Sequence, residues 1–467
     1  MQEEYDALVV GAGMSGMALA FRLALFGKKV ALLESHSIPG GLNSYYSREN
    51  YSLDVGLHAL TNFVTRDAKK ADQPLFKMLK QMRWRYDDLK LIPQVKSKII
   101  YPDKTLTFTN HIEDLKNEIK NKFPEEYNNF ERLLKFIEHF DELDLTLTHQ
   151  SAKNVLQEFF SNTQLIDMLL CPLLVYGSAW ERDMDLAQFV IMFKSIFLQG
   201  FMRPHGGVRT LINKLMEDLK KVGVHLFFKS KVDELYKDDN HWMIKKGEKI
   251  FKAKQVYSTI GAPETFKLIK EAKETHQRGP LSFVEALFVL DKRPKEFGEE
   301  TTIAFFNKSS KFAYERPQTL VHSDFAVLCF SNNFAEDDLE FPLVRVTLLA
   351  NFEKWKSLSR SDYKSEKKKI ETLAFDLLCQ FSPGFKAAQI KFSDVFTPLT
   401  VQKFTRREGG AIYGSTDKLR DGKTAYKNLY IAGTDQGFLG VIGSLLSGIS
   451  MANKYGLIND TNTETRI

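Results

Sequence analysis

The order of apolar and polar residues at the start of the chain predicts a complete structural unit. Asp6 opens a short run, through residue 10, that is otherwise apolar and typical of a buried strand. A glycine-rich turn follows, then a segment with apolar residues at helical spacing, then a second apolar run at residues 29–33. That run ends at Glu34. The predicted order is therefore strand, glycine turn, helix, strand and acidic residue.

The middle of the chain changes its periodicity. Across residues 66–204 the apolar residues recur three or four positions apart, which is typical of helices that bury one face. The clearest helices predicted in this block are residues 113–122, 125–138, 154–160 and 186–201. From about residue 205 the pattern alternates between helix and strand. The elements predicted there are a helix at 208–222 and strands at 224–228, 232–236, 242–244 and 256–260.

The last third of the chain is rich in short alternating strands. The strands predicted there include residues 283–290, 325–330 and 343–349, and one helix at 361–381 interrupts them. A buried strand at 427–432 then leads through a glycine-rich turn into a closing helix.

Similar strand-and-helix patterns at the start, middle and end of the chain predict two discontinuous domains. The first domain comprises residues 1–65, 205–275 and 405–467, and the second comprises residues 66–204 and 276–404.

Composition describes a globular chain. Hydrophobic residues make up 43% of the 467, enough for one or two domains with full cores. The three cysteines lie far apart, which predicts neither a disulfide framework nor a zinc site and favours a reducing, cytoplasmic location. They are Cys171, Cys329 and Cys379. No apolar run is long enough to span a membrane, and the first strand begins too early to leave room for a signal peptide.

Charge is spread evenly along the sequence. The 65 basic and 59 acidic residues give a net charge of +6 and are interspersed. We find no nucleic-acid-binding motif and expect no nucleic-acid partner. The pattern carries no signal for an oligomeric state.

The glycine turn between the first strand and helix has the spacing of a dinucleotide fingerprint. Gly11 allows a tight turn off the strand, Gly13 lets a pyrophosphate approach the backbone, and Gly16 lets the helix pack against the strand. The free N–H groups of the helix N-terminus favour phosphate. Glu34 ends the second strand, where it can accept hydrogen bonds from ribose hydroxyls. The sequence therefore predicts a bound dinucleotide.

A second glycine pair helps to choose between dinucleotides. Gly40 and Gly41 follow Glu34 after a few residues, and Leu42 and Asn43 come next. A nicotinamide site needs no second Gly-Gly turn at this place. The stretch resembles the continuation in FAD proteins of the glutathione-reductase type, in which a Gly-Gly loop runs beside the flavin, so we expect FAD.

Taken together, the motifs resemble those of the FAD-dependent amine-oxidase superfamily, in particular the phytoene desaturase, carotenoid isomerase and retinol saturase branch. Four motifs match in order and span nearly the whole chain. They are the fingerprint at 11–34 with Gly40-Gly41, the Pro204–Gly207 turn, residues 397–400 leading through Arg406 to Tyr413-Gly414, and residues 429–448. The resemblance implies an α/β fold: a glutathione-reductase-type Rossmann FAD-binding domain with an inserted substrate domain of mixed β-sheet and helices, including a helical cap.

The resemblance also implies roles for individual residues toward non-covalent FAD. Val232 corresponds to the residue that pairs with adenine through its backbone, and Asp435 to the acid that binds the ribityl chain. Gly440, Val441 and Ile442 correspond to a turn at the flavin pyrimidine edge. The complete set of expected cofactor contacts is Gly11, Gly13, Ser15, Gly16, Glu34, Ser35, Gly40, Gly41, Leu42, Asn43, Gly56, His58, Val232, Gly433, Asp435, Gly440, Val441 and Ile442.

Few side chains outside the cofactor motifs suggest chemistry. We find no Ser-His-Asp arrangement, metal-ligand cluster or well-spaced pair of carboxylates, which agrees with chemistry carried by a flavin. The candidate acids and bases are His58, His205 and Arg209, and a structural hydrogen bond is the alternative role for each.

An apolar stripe over residues 189–202 allows two interpretations. Phe193, Ile196, Phe197 and Phe201 recur at helical spacing, as in a core helix. Alternatively, this is an interfacial helix at the mouth of a lipid-substrate tunnel, with Lys194 and Arg203 near lipid head groups. That would make the protein peripheral on the cytoplasmic membrane face.

Three functions remain open at this point. The first is an FAD-dependent oxidoreductase that acts on C–C bonds of a polyene, isoprenoid or lipid-like substrate by hydride transfer at flavin N5, giving desaturation, saturation or isomerisation. The second is an amine or porphyrinogen-type oxidase. Leu42 replaces the arginine usual in amine oxidases, and Val441 stands where they often place one wall of an aromatic cage. The third is a non-enzymatic prenyl- or lipid-binding protein similar to Rab GDP-dissociation inhibitors.

Overall fold

The computed structural model describes residues 3–56, 58–67 and 73–458. The strands are β1 (Glu4–Val10), β2 (Val30–Leu33), β3 (Tyr45–Arg48), β4 (Tyr51–Asp54), β5 (Leu91–Pro93), β6 (Ser97–Ile100), β7 (Thr105–Phe108), β8 (Met202–Pro204), β9 (His225–Phe227), β10 (Glu234–Asp238), β11 (His241–Lys246), β12 (Lys249–Ser258), β13 (Ser282–Leu290), β14 (Ile303–Asn307), β15 (Phe325–Phe330), β16 (Leu343–Ala350), β17 (Ile390–Phe396) and β18 (Leu429–Ile431). The helices are α1 (Met14–Leu25), α2 (Pro74–Met82), α3 (Ile112–Lys122), α4 (Tyr127–His139), α5 (Ala152–Phe159), α6 (Thr163–Gly177), α7 (Leu186–Phe193), α8 (Val208–Lys221), α9 (Ala262–Phe266), α10 (Phe352–Lys356), α11 (Arg360–Phe381), α12 (Pro398–Thr405) and α13 (Gly440–Met451).

The first sheet gathers strands from the start, middle and end of the chain. Its order is β10-β11-β12-β1-β2-β9, and β18 also pairs with β12. The core of this sheet is parallel: Val9 of β1 lies opposite Leu32 of β2 and opposite Tyr257 of β12. Helices cover both faces of such a sheet, which explains why β1 and β2 are continuous apolar runs.

The predicted strand, glycine turn, helix and second strand are all present as β1, α1 and β2. Gly16 brings α1 close to the sheet, because a Cβ at this position would overlap the carbonyl oxygen of Gly11. The close packing that the fingerprint predicted is therefore a property of the backbone itself.

The second sheet has the order β17-β13-β16-β15-β14-β6-β7 and is antiparallel except where β14 meets β6. On β13 and β16 the even-numbered residues pack against α11 in one core. Because side chains alternate between the faces of a strand, the odd-numbered residues of both strands face the other side. The predicted α/β fold with a second, mixed sheet is confirmed.

The prediction that residues 66–204 are mostly helical was incomplete. Four short strands lie in this block, and two of them, β6 and β7, extend the second sheet. Helix α6 was missed because it is apolar almost all round, so it shows no alternation of buried and exposed positions. The second predicted strand after residue 205 begins at Glu234 rather than at Val232.

Residues 189–202 form part of the core and not a lipid-facing surface. Phe193, Ile196, Phe197 and Phe201 are all at most 1% exposed. Lys194 forms an ion pair with Glu142 at 2.7 Å, and Arg203 is buried beside Asp54. The interfacial interpretation of this segment was therefore wrong, since the stripe is already covered by the protein.

Within the described residues, no helix has the length and apolar character needed to cross a membrane. The domain boundaries stay a prediction. Residues 1–2, 57 and 459–467 of the first predicted domain and 68–72 of the second lie outside the described residues.

Candidate functional site

A cavity of about 820 Å³ is lined by residues from both sheets and from α6. It brings together most of the residues predicted to hold the cofactor. Those that line it are Gly11, Gly13, Ser15, Glu34, Ser35, Gly40, Gly41, Leu42, Asn43, Gly56, His58, Val232, Gly440 and Val441. Residues more than 400 positions apart in the sequence thus meet in one site.

One end of the cavity is formed by the glycine turn and Glu34. Gly11 has φ +100°, a left-handed conformation that favours glycine. Gly13 is extended and begins α1, and a Cβ added to it would meet no heavy atom within 4 Å. The protein itself therefore gives no steric reason for a glycine at position 13.

The Glu34 carboxylate is held by the backbone at this end. Its Oε2 accepts a hydrogen bond from Ala12 N at 2.7 Å, and its Oε1 accepts one from His36 N at 2.7 Å. These contacts hold the carboxylate at the wall of the cavity, beside the glycine turn.

The second glycine pair packs directly on the first turn. Gly40 N donates to the carbonyl oxygen of Ala12 at 2.8 Å, and Gly13 and Gly40 form a parallel bridge. Gly41 follows and lines the cavity. The two glycine motifs of the sequence are therefore one continuous surface in the structure.

The N-terminus of α13 faces the other end of the cavity. Gly440 and Val441 line it there, whereas Ile442 points into the core and is 1% exposed. The first N–H groups of a helix have no partners within the helix and carry partial positive charge. This end of the cavity therefore favours a group that gains negative charge.

Val232 lies on the cavity wall with its backbone available. Within the described residues, neither its N–H nor its C=O forms a hydrogen bond, whereas the next residue, Asp233, donates its N–H to Lys245 O. A free main-chain donor and acceptor suit the edge of a base, as predicted for this position.

Asp435 differs from its predicted placement. It is fully buried beneath the cavity, with Oδ1 accepting from Ser415 N at 2.8 Å and Oδ2 from Ala262 N at 2.6 Å. Burial acts to raise the pKa of this carboxyl, but Arg407 and Lys418 outweigh it and hold the pKa below its usual value. Asp435 thus organises the loops beneath the site instead of lining it.

Gly16, Gly433 and Ile442 also stand behind the cavity wall. Gly433 packs on Ser15, where an added Cβ would lie 2.6 Å from Oγ. These predicted contacts shape the site through packing.

Arg407 was missed by the sequence analysis, although it stands next to Arg406 in one of the recognised motifs. It lines the cavity, is 7% exposed, and its Nη1 has no hydrogen-bond partner in the described part of the chain. The nearest carboxylate oxygen, Asp435 Oδ2, is 3.7 Å from Nη1. A buried, unpaired guanidinium nitrogen is costly unless an anion occupies the cavity beside it.

Of the three predicted acids and bases, only His58 lines the cavity. His205 is exposed and lies outside the cavity wall. The Arg209 guanidinium stacks on the ring of Tyr45 at 4.2 Å and donates to Ser47 Oγ at 3.3 Å. His205 and Arg209 were therefore wrongly proposed as reactive groups: one is at the surface, and the other supports strand β3.

A buried ion pair faces the cavity beside His58. Glu285 on β13 and Arg345 on β16 form a salt bridge of 2.6 Å between Oε1 and Nη1. Burial acts to raise the pKa of Glu285, but Arg345 and His58 outweigh it and lower the pKa to about 2. The sequence did contain a signal, because each residue is a lone charge within an apolar strand.

The described residues contain no cluster of three or more side chains that could hold a metal ion.

Comparison with known proteins places these features in context. A family model described as an NAD(P)-binding Rossmann-like domain matches residues 9–81. The chain is 24% identical to the chloroplastic prolycopene isomerase of Daucus carota, over 97% of this chain and 80% of that protein. It is 23% identical to the all-trans-retinol 13,14-reductase of Danio rerio, over 96% of this chain and 85% of that protein.

The fold is similar to that of a solved putrescine oxidase variant. The TM-score is 0.62 with 16% identity, over 96% of this chain and 98% of that structure. The predicted resemblance to carotenoid isomerases and retinol saturases is confirmed in the sequence, residues 9–81 match a Rossmann-like family model, and the fold is similar to that of a solved amine oxidase.

Proposed function

We propose that the protein is an FAD-dependent oxidoreductase that acts on a C–C bond of an apolar polyene or isoprenoid substrate. The observation that carries the proposal is the single cavity, which joins a dinucleotide turn, a flavin-facing helix end and an apolar chamber. Prolycopene isomerase and all-trans-retinol 13,14-reductase, which resemble the chain over nearly its full length, are named for polyene substrates.

The residues present fit FAD at three independent places. The space beside Gly13 is open to a pyrophosphate, and Arg407, whose Nη1 is unpaired, supplies a cation on the cavity wall. At the far end, the N-terminus of α13 would stabilise negative charge on the flavin pyrimidine edge. Bound flavin supplies hydride transfer at N5, and the protein orients the substrate and excludes water.

We call the apolar part of the cavity wall the apolar chamber. It is lined by Ala59, Val175, Tyr176, Phe283, Ile412, Tyr413 and Leu439. Apolar and aromatic walls suit a long hydrocarbon. Leu42 and Val441 line the cavity at the positions where amine oxidases usually have an arginine and often an aromatic residue. These observations favour a polyene over an amine.

The first test asks whether the protein binds FAD and which substrates react. We expect the purified protein to be yellow or to become yellow with FAD. FAD at 100 times its dissociation constant should raise the free energy of unfolding by about 2.7 kcal/mol. The protein is then mixed anaerobically with all-trans-retinol or prolycopene, in the presence of dithionite-reduced FAD or of oxidised FAD. We expect both substrates to be converted to products that chromatography resolves. Rapid bleaching of the flavin by amines would instead support an amine oxidase, and protein that stays colourless with FAD would favour the binding-protein alternative.

A second test concerns Arg407. Arg407→Met removes a charged donor with an unpaired Nη1 from the cavity wall, and a contact of such a donor with an FAD phosphate would contribute about 1.5–3 kcal/mol. We therefore expect FAD affinity to fall roughly 10- to 150-fold in a fluorescence titration, and Arg407→Lys should retain part of it. Arg360→Met, at an exposed position on α11, is the matched control. Wild-type affinity in Arg407→Met would exclude this contact.

A further inference from the structure

Glu285, Thr347 and Arg345 are brought together by the register of two antiparallel strands. Glu285 on β13 lies directly opposite Thr347 on β16, and Arg345 is two residues further along β16. All three are odd-numbered, so they share the face of the sheet that is turned away from α11. A carboxylate, a hydroxyl and a guanidinium therefore converge on one side of an otherwise apolar sheet.

His58 reaches this group from the loop that follows β4. Its Nε2 lies 3.1 Å from Glu285 Oε2 and 2.8 Å from Thr347 Oγ1. Its Nδ1 has no hydrogen-bond partner among the described residues, and the side chain is 13% exposed. One ring nitrogen thus faces a carboxylate, while the other is free to exchange a proton with a molecule in the cavity.

The His58 loop is fixed at both ends by the walls of the proposed flavin site. Gly56 packs on the carbonyl oxygen of Leu42, and Thr61 packs beside Gly440 at the start of α13. These two contacts connect the ends of the loop to the Gly-Gly loop and to the N-terminus of α13. His58 stands between these two walls, beside the apolar chamber.

The electrostatics of the group favour a stable carboxylate beside the imidazole. Arg345 is fully buried, donates from Nη1 to Glu285 Oε1 at 2.6 Å, and donates from Nη2 to the carbonyl oxygen of Asp54 at 2.7 Å. The same guanidinium thus holds Glu285 and the strand that leads into the His58 loop. The titratable and charged groups packed around His58 are Glu285, Arg345, Cys329, Tyr176 and Asp54.

We propose that His58 is the catalytic residue that exchanges a proton with the substrate, and that Glu285 is its positioning residue. The proposal rests on the proposed function. In saturation, one carbon of a double bond would receive a hydride with its electron pair, which bound reduced flavin would supply, and the neighbouring carbon would receive the proton of the His58 imidazolium. The double bond would become a single bond and His58 would end neutral. In desaturation each transfer would run in reverse, with oxidised flavin as the hydride acceptor.

The experiment compares wild type with His58→Gln, Glu285→Gln and the matched control His139→Gln, which changes an exposed histidine on α4. FAD binding is first titrated for each protein. Turnover of all-trans-retinol and of prolycopene by the FAD-loaded protein is then measured as a function of pH, once with reduced FAD and once with oxidised FAD. A general acid or base contributes about 10²- to 10⁴-fold. We therefore expect His58→Gln to bind FAD normally and to lose at least about 100-fold in turnover. His58→Asn is the second variant if His58→Gln does not fold.

The Glu285→Gln variant leaves buried Arg345 without its countercharge, so its folding is first checked by its denaturant midpoint. The folded variant then separates a positioning role from a purely structural one. Loss of the carboxylate removes a partner of His58 Nε2. The pH profile of saturation activity should therefore differ between wild type and Glu285→Gln. The His58 ring signals in the NMR spectrum of the protein without substrate should also move, and this measurement does not depend on turnover.

The outcomes distinguish the two proposals. Full turnover in His58→Gln, or identical pH profiles and identical His58 ring signals in wild type and Glu285→Gln, would overturn the proton-exchange proposal and leave the proposed function standing. If wild type binds FAD but converts neither polyene in either direction, the proposed function fails, and the His58 ring signals still decide whether His58 and Glu285 are in contact.

Discussion

Gly13→Val should abolish FAD binding and leave the fold of the free protein intact. The residue has extended φ and ψ angles that any amino acid adopts, and an added Cβ would meet nothing within 4 Å. The space that a side chain would fill is the space into which a pyrophosphate must come to reach the N-terminus of α1. We expect affinity to fall about 1,000-fold or more, which corresponds to about 4 kcal/mol, as measured by fluorescence titration of FAD.

Gly16→Ala is the matched control for this prediction. A Cβ there would overlap the carbonyl oxygen of Gly11, and overpacking of this kind costs about 1–3 kcal/mol. Gly13→Val should therefore lose FAD binding without losing stability, whereas Gly16→Ala should lose stability. If Gly13→Val unfolds, or if it binds FAD like wild type, the assignment of the pyrophosphate site is wrong.

The cofactor end of the cavity could be predicted from sequence because its signals are local. Gly11, Gly13, Gly16 and Glu34 lie within 24 consecutive residues, and the spacing of the motif indicates a role for each of them. The position of Asp435 could not be predicted in the same way. Its motif places it near the flavin, but its burial depends on Ser415 and Ala262, which approach it from other parts of the chain.

The reactive end depends on a contact over a much longer range. His58 and Glu285 are distant in sequence and meet only because the loop after β4 packs on the second sheet. Glu285 and Arg345 were nevertheless visible as lone charges in apolar strands. Their pairing follows once β13 and β16 are known to be antiparallel neighbours, since diagonal residues on one face can contact each other. The order of the strands in the second sheet was therefore the information that the sequence lacked for predicting this pair.

The salt bridge between Arg345 and Glu285 is expected to be essential for stability when only one partner is removed. Arg345 is 0% exposed, and the Glu285 side chain is 8% exposed. Arg345→Met would leave a buried carboxylate without its main countercharge, which costs about 3–5 kcal/mol. Arg66→Met, which breaks the exposed pair between Arg66 and Asp87, should cost less than about 1 kcal/mol. The denaturant midpoint and slope at pH 7 give both values.

The pH dependence of this loss of stability distinguishes the loss of a charge pair from a simple loss of packing. In wild type the pKa of Glu285 is lowered, so its stabilising contribution is present above its unfolded value and is lost as pH falls toward the folded value of about 2. Without Arg345, burial instead raises the pKa of Glu285, and protonation relieves the cost. The stability difference between wild type and Arg345→Met should therefore shrink as pH falls from 7 toward 4.

The double variant Arg345→Met/Glu285→Leu, which buries no uncompensated carboxylate, should recover most of the loss at pH 7. A pH-independent deficit that the second substitution does not repair would show that Arg345 stabilises the protein through packing.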